Sequence, residues 1–185
     1  LKKRGITDPA DIEEYMSPTP SRTYDPFLMK GMDEASDMII EYARGRRRIC
    51  VYGDYDCDGV TSTVMLFTHL DAIGADVNWY IPTREEGYGL NENAIRKLHE
   101  DGTGLIITVD NGVSAVNEAE LIYELGMKLV VTDHHQLPEI LPKAEAIVNP
   151  HRQDDNSPYK ELAGCGVALK LIMALERDVE GVLEQ

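Results

Sequence analysis

The stretch Ile49-Cys-Val-Tyr-Gly-Asp54-Tyr-Asp56-Cys-Asp58-Gly59 decides the predicted fold. Its first four residues form an apolar run that predicts a buried strand over 49–52, and Gly53 breaks that run. The pattern from Val60 to Ala72 then predicts a helix. Three aspartates at alternate positions therefore lie between a strand and a helix, where each raises the pKa of its neighbours unless a positive charge lies among them. A divalent cation is the simplest source of that charge.

Strands and helices alternate along the rest of the chain. Further strands are predicted over 77–81, 105–109, 129–131 and 146–148. Helices are predicted over 32–44 and 115–125, and a third runs from the N-cap Asn91 through Glu100. The last is predicted from 163–166 to about 177, where the Gly164-Cys165-Gly166 run favours close helix packing. This alternation predicts an α/β fold with a doubly wound, mostly parallel sheet and helices on both faces. The chain is predicted to divide into an N-terminal lead-in with helices, 1–45, and an α/β domain, 46–185.

Acidic residues follow three of the predicted strands directly, at Asp54, Asp110 and Asp133. The carboxyl ends of parallel strands share one edge of a sheet, and ligands bind beyond that edge. We therefore expect the three acidic turns to converge. His134 and His135 follow Asp133, and imidazole next to carboxylates selects Mn²⁺, Fe²⁺ or Zn²⁺ over Mg²⁺, which prefers oxygen and water. Manganese is the predicted metal.

Other interpretations of the first acidic turn explain fewer residues. An EF-hand calcium loop needs a glutamate at its twelfth position, where this chain has Met65, and a helix rather than a strand before it. The run Asp56-Cys-Asp58-Gly59-Val60 resembles the first motif of haloacid-dehalogenase phosphatases, but that motif leaves His134-His135 unexplained. A solvated acidic turn does not explain acids at two further strand ends.

Charge and composition limit the class of protein. There are 33 acidic residues against 18 lysines and arginines, and the net charge of −15 has the wrong sign for binding nucleic acid through a broadly basic surface. Any such contact must be local or come from elsewhere, and Arg46-Arg47-Arg48 is interpreted as solvated charge before a strand. No apolar stretch approaches membrane-spanning length. Cys50, Cys57 and Cys165 lack disulfide or zinc-site spacing and suit a reducing cytoplasm.

Three segments resemble motifs I, II and III of the DHH phosphoesterase superfamily. They are Gly53-Asp-Tyr-Asp-Cys-Asp-Gly-Val-Thr-Ser62, Val109-Asp-Asn-Gly112 and Thr132-Asp-His-His135. Further segments narrow the resemblance to RecJ-like exonucleases, bacterial enzymes that act on single-stranded DNA from the 5′ end. Those segments are 3–6, 25–28, 80–89, 148–150 and 162–168. The resemblance covers nearly the whole chain.

The resemblance implies a centre of two divalent cations, with Mn²⁺ the predicted metal and Mg²⁺ the alternative. Asp54 and Asp56 would surround one ion, and Asp58 and His134 would bind the other. Asp110 would bridge the two ions. Two cations held close together acidify a bridging water and absorb charge on the phosphoryl oxygens.

Five further residues are predicted to act beside the ions. The resemblance implies that Asp133 orients a metal ligand and that His135 contacts the scissile phosphate, where it would stabilise negative charge or supply a proton. Arg84 matches an arginine that faces the substrate's phosphates, with a salt bridge to one of the two following glutamates as the alternative. Thr61 and Ser62 are candidate phosphate donors, with N-capping of the helix as the alternative.

The function expected from the resemblance is metal-dependent hydrolysis of single-stranded DNA from its 5′ end, in DNA repair or recombination. The expected partners are single-stranded DNA and replication or recombination proteins, without a membrane. Two alternatives stay open: a DHH phosphohydrolase of small substrates such as pyrophosphate, oligonucleotides or cyclic dinucleotides, and a non-catalytic DHH scaffold. The family's fourth motif and second domain would follow residue 185. We therefore expect a partial catalytic core that cleaves DNA weakly or not at all on its own.

Overall fold

Five parallel strands form one sheet in the computed structural model, which describes residues 1–17 and 23–183. The strands are β1 (Ile49–Tyr52), β2 (Val77–Tyr80), β3 (Leu105–Val109), β4 (Lys128–Thr132) and β5 (Ala146–Val148). Their order across the sheet is β2-β1-β3-β4-β5, and every neighbouring pair is parallel. The chain therefore reverses its direction of travel across the sheet between β1 and β3, where doubly wound folds bind ligands.

Helices cover both faces of this sheet, which confirms the predicted fold class. They are α1 (Pro9–Met16), α2 (Met32–Arg44), α3 (Cys57–Ala72), α4 (Glu92–Glu100), α5 (Val116–Glu124) and α6 (Gly164–Leu183). One core lies between the sheet and α2, α3 and α6, and the other lies between the sheet and α4 and α5. Successive strand residues enter opposite cores: Ile107 packs in the first and Ile106 in the second. Strands covered on both faces need apolar residues at every position, which explains the continuous apolar runs.

Helix α2 packs tightly in the first core, although the sequence assigned it to the lead-in. Met32, Ala35 and Ile39 of α2 are fully buried there. The division of the chain at residue 45 stays a prediction. Among the described residues, no helix combines the length and apolar character needed to cross a membrane.

The start of α3 differs from the prediction. The helix begins at Cys57 rather than Val60, because Asp56 is its N-cap and accepts hydrogen bonds from the amides of Asp58 (2.8 Å) and Gly59 (2.9 Å). Gly59 lies inside the helix, where a Cβ atom would be 2.7 Å from the Asp54 carbonyl oxygen. The glycine therefore allows close contact between the first turn of α3 and the loop before it.

The arginine triplet lies at the amino ends of the strands, opposite the acidic turns. Arg47 forms an ion pair with Glu41 (2.6 Å), and Arg48 forms one with Asp76 (3.2 Å). These pairs agree with the interpretation of the triplet as surface charge.

Candidate metal centre

The turns after β1, β3 and β4 meet at one rim of the sheet. Their backbones are fixed because parallel pairing continues past the strands: the amides of Gly53, Asp110 and Asp133 donate to carbonyl oxygens of neighbouring strand segments at 2.9, 3.1 and 3.0 Å. The rim includes the position between β1 and β3 where the strand order reverses. The predicted convergence of the acidic turns is therefore present.

Three carboxylates form a first group at this rim. Asp54, Asp56 and Asp110 each place a carboxylate oxygen within 4.8 Å of the others. Asp54 is fully buried: its Oδ1 accepts the amide of Asp56 at 2.6 Å, and its Oδ2 has no hydrogen-bond partner among the described residues. A buried carboxylate oxygen without a donor is unfavourable, and a cation would compensate it.

Asp110 is shared between this group and a second one that contains His134 and His135. Asp110 adopts a left-handed backbone conformation with φ 63°, and its side chain is 1% exposed. Its Oδ1 lies 3.0 Å from His134 Nε2, an ion pair when the ring is protonated, and Oδ1 has no hydrogen-bond partner within the described part of the chain. Two potential metal-ligand atoms this close, with no hydrogen bond between them, fit a cation bound by both.

The electrostatics of Asp110 agree with a missing positive charge. Its burial, followed by the neighbouring charges of Asp58 and Asp56, raises the pKa of the Asp110 carboxyl to about 8. At neutral pH this metal-free carboxyl is therefore largely protonated. A cation that binds here must displace that proton.

Asp133 fixes the loop after β4 and cannot easily bind a cation, because both of its oxygens are occupied. Oδ2 accepts the amide of Val113 at 2.9 Å, and Oδ1 accepts the amides of His134 (2.7 Å) and His135 (3.1 Å) and contacts His135 Nδ1 (2.7 Å). Burial raises the pKa of Asp133. The hydrogen bonds from the His135 ring and from the backbone lower the pKa by more than burial raises it, so the pKa lies below its usual value. The ring that Asp133 orients is that of His135, not that of the predicted ligand His134.

Asp58 fastens the start of α6 to the site. Its Oδ2 accepts the amide of Gly164 at 2.6 Å, and its Oδ1 accepts that of Cys165 at 2.7 Å. Burial raises the pKa of Asp58, but the hydrogen bonds from Cys165 and Gly164 outweigh it and lower the pKa. Oδ2 also lies 3.8 Å from His134 Nε2, so the lone pairs that remain on Asp58 face the second group.

Gly164 lets α6 approach the acidic cluster. A Cβ atom on Gly164 would lie 2.3 Å from Asp110 Oδ1. The predicted role of this glycine, close packing of a helix, is correct in kind, but its neighbour is a carboxylate of the site.

Thr61 and Ser62, the two hydroxyl residues predicted to contact phosphate, do not cap α3, because Asp56 is the N-cap. Ser62 is fully buried and its hydroxyl donates to the Asp58 carbonyl oxygen at 2.7 Å. The predicted substrate contact of Ser62 is therefore wrong: neither its position nor its hydrogen atom is available. Thr61 is exposed and donates to the Cys57 carbonyl oxygen at 2.5 Å, so its substrate contact stays a prediction.

Arg84 is exposed and connects to His135 through two aromatic rings. Its guanidinium carbon lies 4.8 Å from the centroid of the Tyr55 ring. The Tyr55 ring meets Tyr88 edge-on at 6.2 Å, and Tyr88 meets His135 edge-on at 5.9 Å. Within the described ranges 1–17 and 23–183, no ion pair joins Arg84 to its neighbouring glutamates, and Glu86 accepts hydrogen bonds from the Tyr80 hydroxyl of β2 and the Thr83 amide.

Sequence reasoning missed Tyr88. Its hydroxyl donates to the Asp110 carbonyl oxygen at 2.9 Å and lies 3.4 Å from His135 Nε2. Burial, then the charges of Asp54 and Asp110, raise the pKa of the Tyr88 hydroxyl, so it stays protonated. The available sign was the Gly87-Tyr88-Gly89 sequence, a tyrosine placed between two residues that allow positive φ.

The donor set fits a hard or borderline divalent cation. Carboxylate oxygens dominate, imidazole nitrogens are added at one side, and two groups of donors share Asp110. The residues present could therefore hold a metal such as Mn²⁺ or Mg²⁺.

The raised pKa of Asp110 predicts a pH-dependent stability of the metal-free chain. The folded state keeps the Asp110 proton up to about pH 8, whereas the ordinary pKa is 3.8. Between these values the folded state binds more protons than the unfolded state, so the free energy of unfolding should fall as pH rises. Urea titrations in EDTA from pH 5 to 9 measure this slope, and addition of Mn²⁺ should offset it. If the free energy of unfolding in EDTA did not change with pH, the raised pKa of Asp110 would be contradicted.

The chain is similar in sequence to known proteins. The family described as "DHH family, N-terminal domain" matches residues 48–184. The chain is 47% identical over 176 residues to the single-stranded-DNA-specific exonuclease RecJ of Bacillus subtilis (strain 168), an alignment that covers 95% of this chain. The chain spans only 22% of the length of that protein.

Solved structures show the same fold. A crystal structure of exonuclease RecJ bound to manganese matches with a TM-score of 0.75 and 38% identity, over 82% of this chain and 38% of that one. RecJ of Thermus thermophilus in complex with Mg²⁺ matches with a TM-score of 0.54 and 31% identity, over 82% of this chain and 17% of that one. Each of those two structures holds a divalent cation of the kind that the donor set fits.

Proposed function

Because the chain belongs to the DHH family, we propose that it is the metal-binding part of an exonuclease that hydrolyses phosphodiester bonds of single-stranded DNA from the 5′ end. The observation that carries the proposal is the convergence of Asp54, Asp56, Asp110 and His134 at one rim of the sheet, with two buried carboxylate oxygens, one of Asp54 and one of Asp110, that have no hydrogen-bond partner among the described residues. A non-catalytic scaffold has no need of these unfavourable groups.

We propose two cation positions that share Asp110. Asp54 and Asp56 would hold one ion, and His134 with the remaining lone pairs of Asp58 would hold the other. Bound divalent cations supply Lewis acidity and an activated water for attack on phosphorus. The chain's own contribution is to hold the ligands at fixed positions, since every turn of the rim is anchored by backbone pairing.

His135 is proposed to contact the scissile phosphate. The bond between its Nδ1 and Asp133 fixes the ring and, as the largest cause, raises the pKa of His135. Nε2, which is not bound to Asp133 and lies 3.4 Å from the Tyr88 hydroxyl, is the nitrogen proposed to face a substrate oxygen, where it can stabilise negative charge or give a proton. Asp133 thus acts as the positioning residue of His135.

Arg84 and Thr61 are proposed to face the substrate's phosphates. The Arg84 guanidinium lies beside Tyr55 and is exposed, so its donors are available for phosphate oxygens. In a chain with a net charge of −15, this local cation is one of the few groups at the rim that attract DNA. The wider expectations, namely a role in DNA repair or recombination, partner proteins of those processes and a cytoplasmic location, stay predictions.

The test uses the full-length protein with Mn²⁺ and three substrates: 5′-labelled single-stranded DNA, the same sequence as a duplex, and a cyclic dinucleotide. We expect rapid digestion of the single strand only, its loss in EDTA, and weak or no cleavage by the isolated 185-residue chain.

His135→Asn should lower kcat on the order of a hundredfold, whereas His99→Asn, an exposed change on α4, should not. Hydrolysis of the cyclic dinucleotide with the single strand left intact would refute the proposal.

A further inference from the structure

We propose that Tyr88 is a positioning residue of this site: its hydroxyl holds Asp110 in the conformation that presents the carboxylate to the cations, and it braces the His135 ring. This inference rests on the proposed function. The Tyr88 hydroxyl donates to the Asp110 carbonyl oxygen at 2.9 Å and lies 3.4 Å from His135 Nε2. It therefore contacts one member of the metal cluster and the proposed phosphate ligand at the same time.

Asp110 needs such support because its backbone is in the left-handed region. At φ 63° an L-residue other than glycine is strained and persists only where its surroundings determine it. The amide of Asp110 donates to the Thr132 carbonyl oxygen at 3.1 Å, and its carbonyl oxygen accepts the Tyr88 hydroxyl. Both peptide groups of Asp110 are therefore held, one by β4 and the other by Tyr88. Because the backbone is fixed on both sides, the Cα–Cβ bond that carries the carboxylate has a fixed direction.

The direction of the contact with His135 follows from the protonation of its ring. A tyrosine hydroxyl has one hydrogen, and the Asp110 carbonyl oxygen, which can only accept, takes it. Toward His135 the hydroxyl therefore offers a lone pair, which accepts the Nε2–H when the ring is protonated. The ring is held at Nδ1 by Asp133 and at its other end by Tyr88, and the two rings meet edge-on with centroids 5.9 Å apart.

The loop that carries Tyr88 is built for this placement. Gly87 and Gly89 have φ of 94° and 75°, conformations that let the chain turn sharply on both sides of the tyrosine. Glu86, just before them, accepts the Tyr80 hydroxyl (2.5 Å) and the Thr83 amide (2.8 Å), which ties the loop to β2. The tyrosine thus reaches the turn after β3 from a fixed base.

The test compares Tyr88→Phe with wild type in the full-length protein, because phenylalanine keeps the ring contacts and removes only the hydroxyl. Tyr123→Phe is the matched control: its hydroxyl donates to Glu145 at 3.1 Å, away from the site. For Tyr88→Phe we expect kcat on single-stranded DNA and Mn²⁺ affinity by calorimetry each to fall about tenfold, with KM for DNA within twofold and an unchanged melting temperature. The control should match wild type in all four measurements.

Two results would overturn the inference. One is a Tyr88→Phe protein with kcat and Mn²⁺ affinity within twofold of wild type. The other is a raised KM with an unchanged kcat, which would make the residue a substrate contact instead. If wild type itself fails to digest single-stranded DNA, the proposed function is refuted, while the Mn²⁺ titration of Tyr88→Phe still decides the role of the hydroxyl.

Discussion

Asp110→Asn in the full-length protein is expected to lower metal-dependent hydrolysis on the order of a thousandfold, a loss of about 4 kcal/mol of transition-state stabilisation. Asp110 belongs to both donor groups, so its replacement weakens both cation positions. Asparagine keeps the shape and tolerates the left-handed φ of 63°, but its amide offers one neutral oxygen in place of two anionic ones. Calorimetric titration with Mn²⁺ and steady-state kinetics measure the two effects.

The same variant should be more stable than wild type in EDTA at pH 9, because it removes a buried charge beside Asp56 and Asp58. It should also flatten the pH profile of stability described above. Asp76→Asn is the matched control, since Asp76 is exposed and pairs with Arg48 at the opposite end of the sheet. An Asp110→Asn protein with more than a tenth of wild-type activity would contradict a shared ligand.

Gly164→Ala is expected to disable the site through α6. The added Cβ would lie 2.3 Å from Asp110 Oδ1 and 2.7 Å from its Cβ, so the helix must move away. That movement breaks the hydrogen bonds from the start of α6 to Asp58. We expect a loss of about 2 kcal/mol in the free energy of unfolding from overpacking, and Mn²⁺ affinity lower by roughly a hundredfold.

Gly166→Ala, two residues along the same helix, is the control. Its Cβ would meet the Leu162 side chain at 3.1 Å, and a leucine side chain can shift. Alanine is favoured over glycine inside a helix by roughly 0.5–1 kcal/mol, so this variant should be as stable as wild type or slightly more stable. Denaturant unfolding and Mn²⁺ titration of both variants make the comparison. If the two variants had the same stability and the same Mn²⁺ affinity, the close contact between Gly164 and Asp110 would contribute nothing to the site.

Much of the fold could be predicted because its strands are short apolar runs covered on both faces. β1, β3 and β5 have the predicted limits, and α4 begins after Asn91, which caps it as expected. The start of α3 could not be predicted, since Asp56 suits a metal ligand and an N-cap equally well by sequence alone. The choice depends on the geometry of the turn.

The error at Ser62 follows from that misplaced helix start. If α3 began at Val60, Ser62 would lie in its first turn, where hydroxyls can reach a phosphate. With the start at Cys57, Ser62 joins the buried face of the helix together with Thr63 and Leu66. With the earlier start, Ser62 lies beyond the first turn, whose free amide groups are the ones that can face a phosphate.

The carboxylates and histidines of the site could be found from their places after strands, because parallel strands bring those places together. The contact of Asp58 with Gly164 could not, since it joins residues 106 positions apart through a helix end. Tyr88 was missed for a similar reason. Its hydroxyl binds a backbone carbonyl oxygen, that of Asp110, and every residue has such an oxygen, so the sequence does not mark the contact. The cluster was therefore predictable, and the groups that hold it in place were not.

The backbone pairing that continues from the strands into the three turns has a consequence for how cations associate. Because the amides of Gly53, Asp110 and Asp133 are already bonded, they should exchange slowly with deuterium even in the apo form. Little chain ordering then accompanies ion capture, and its free energy is set mainly by relief of repulsion between anionic side chains. Association should accordingly be governed by ionic strength and proton release more than by folding of the rim.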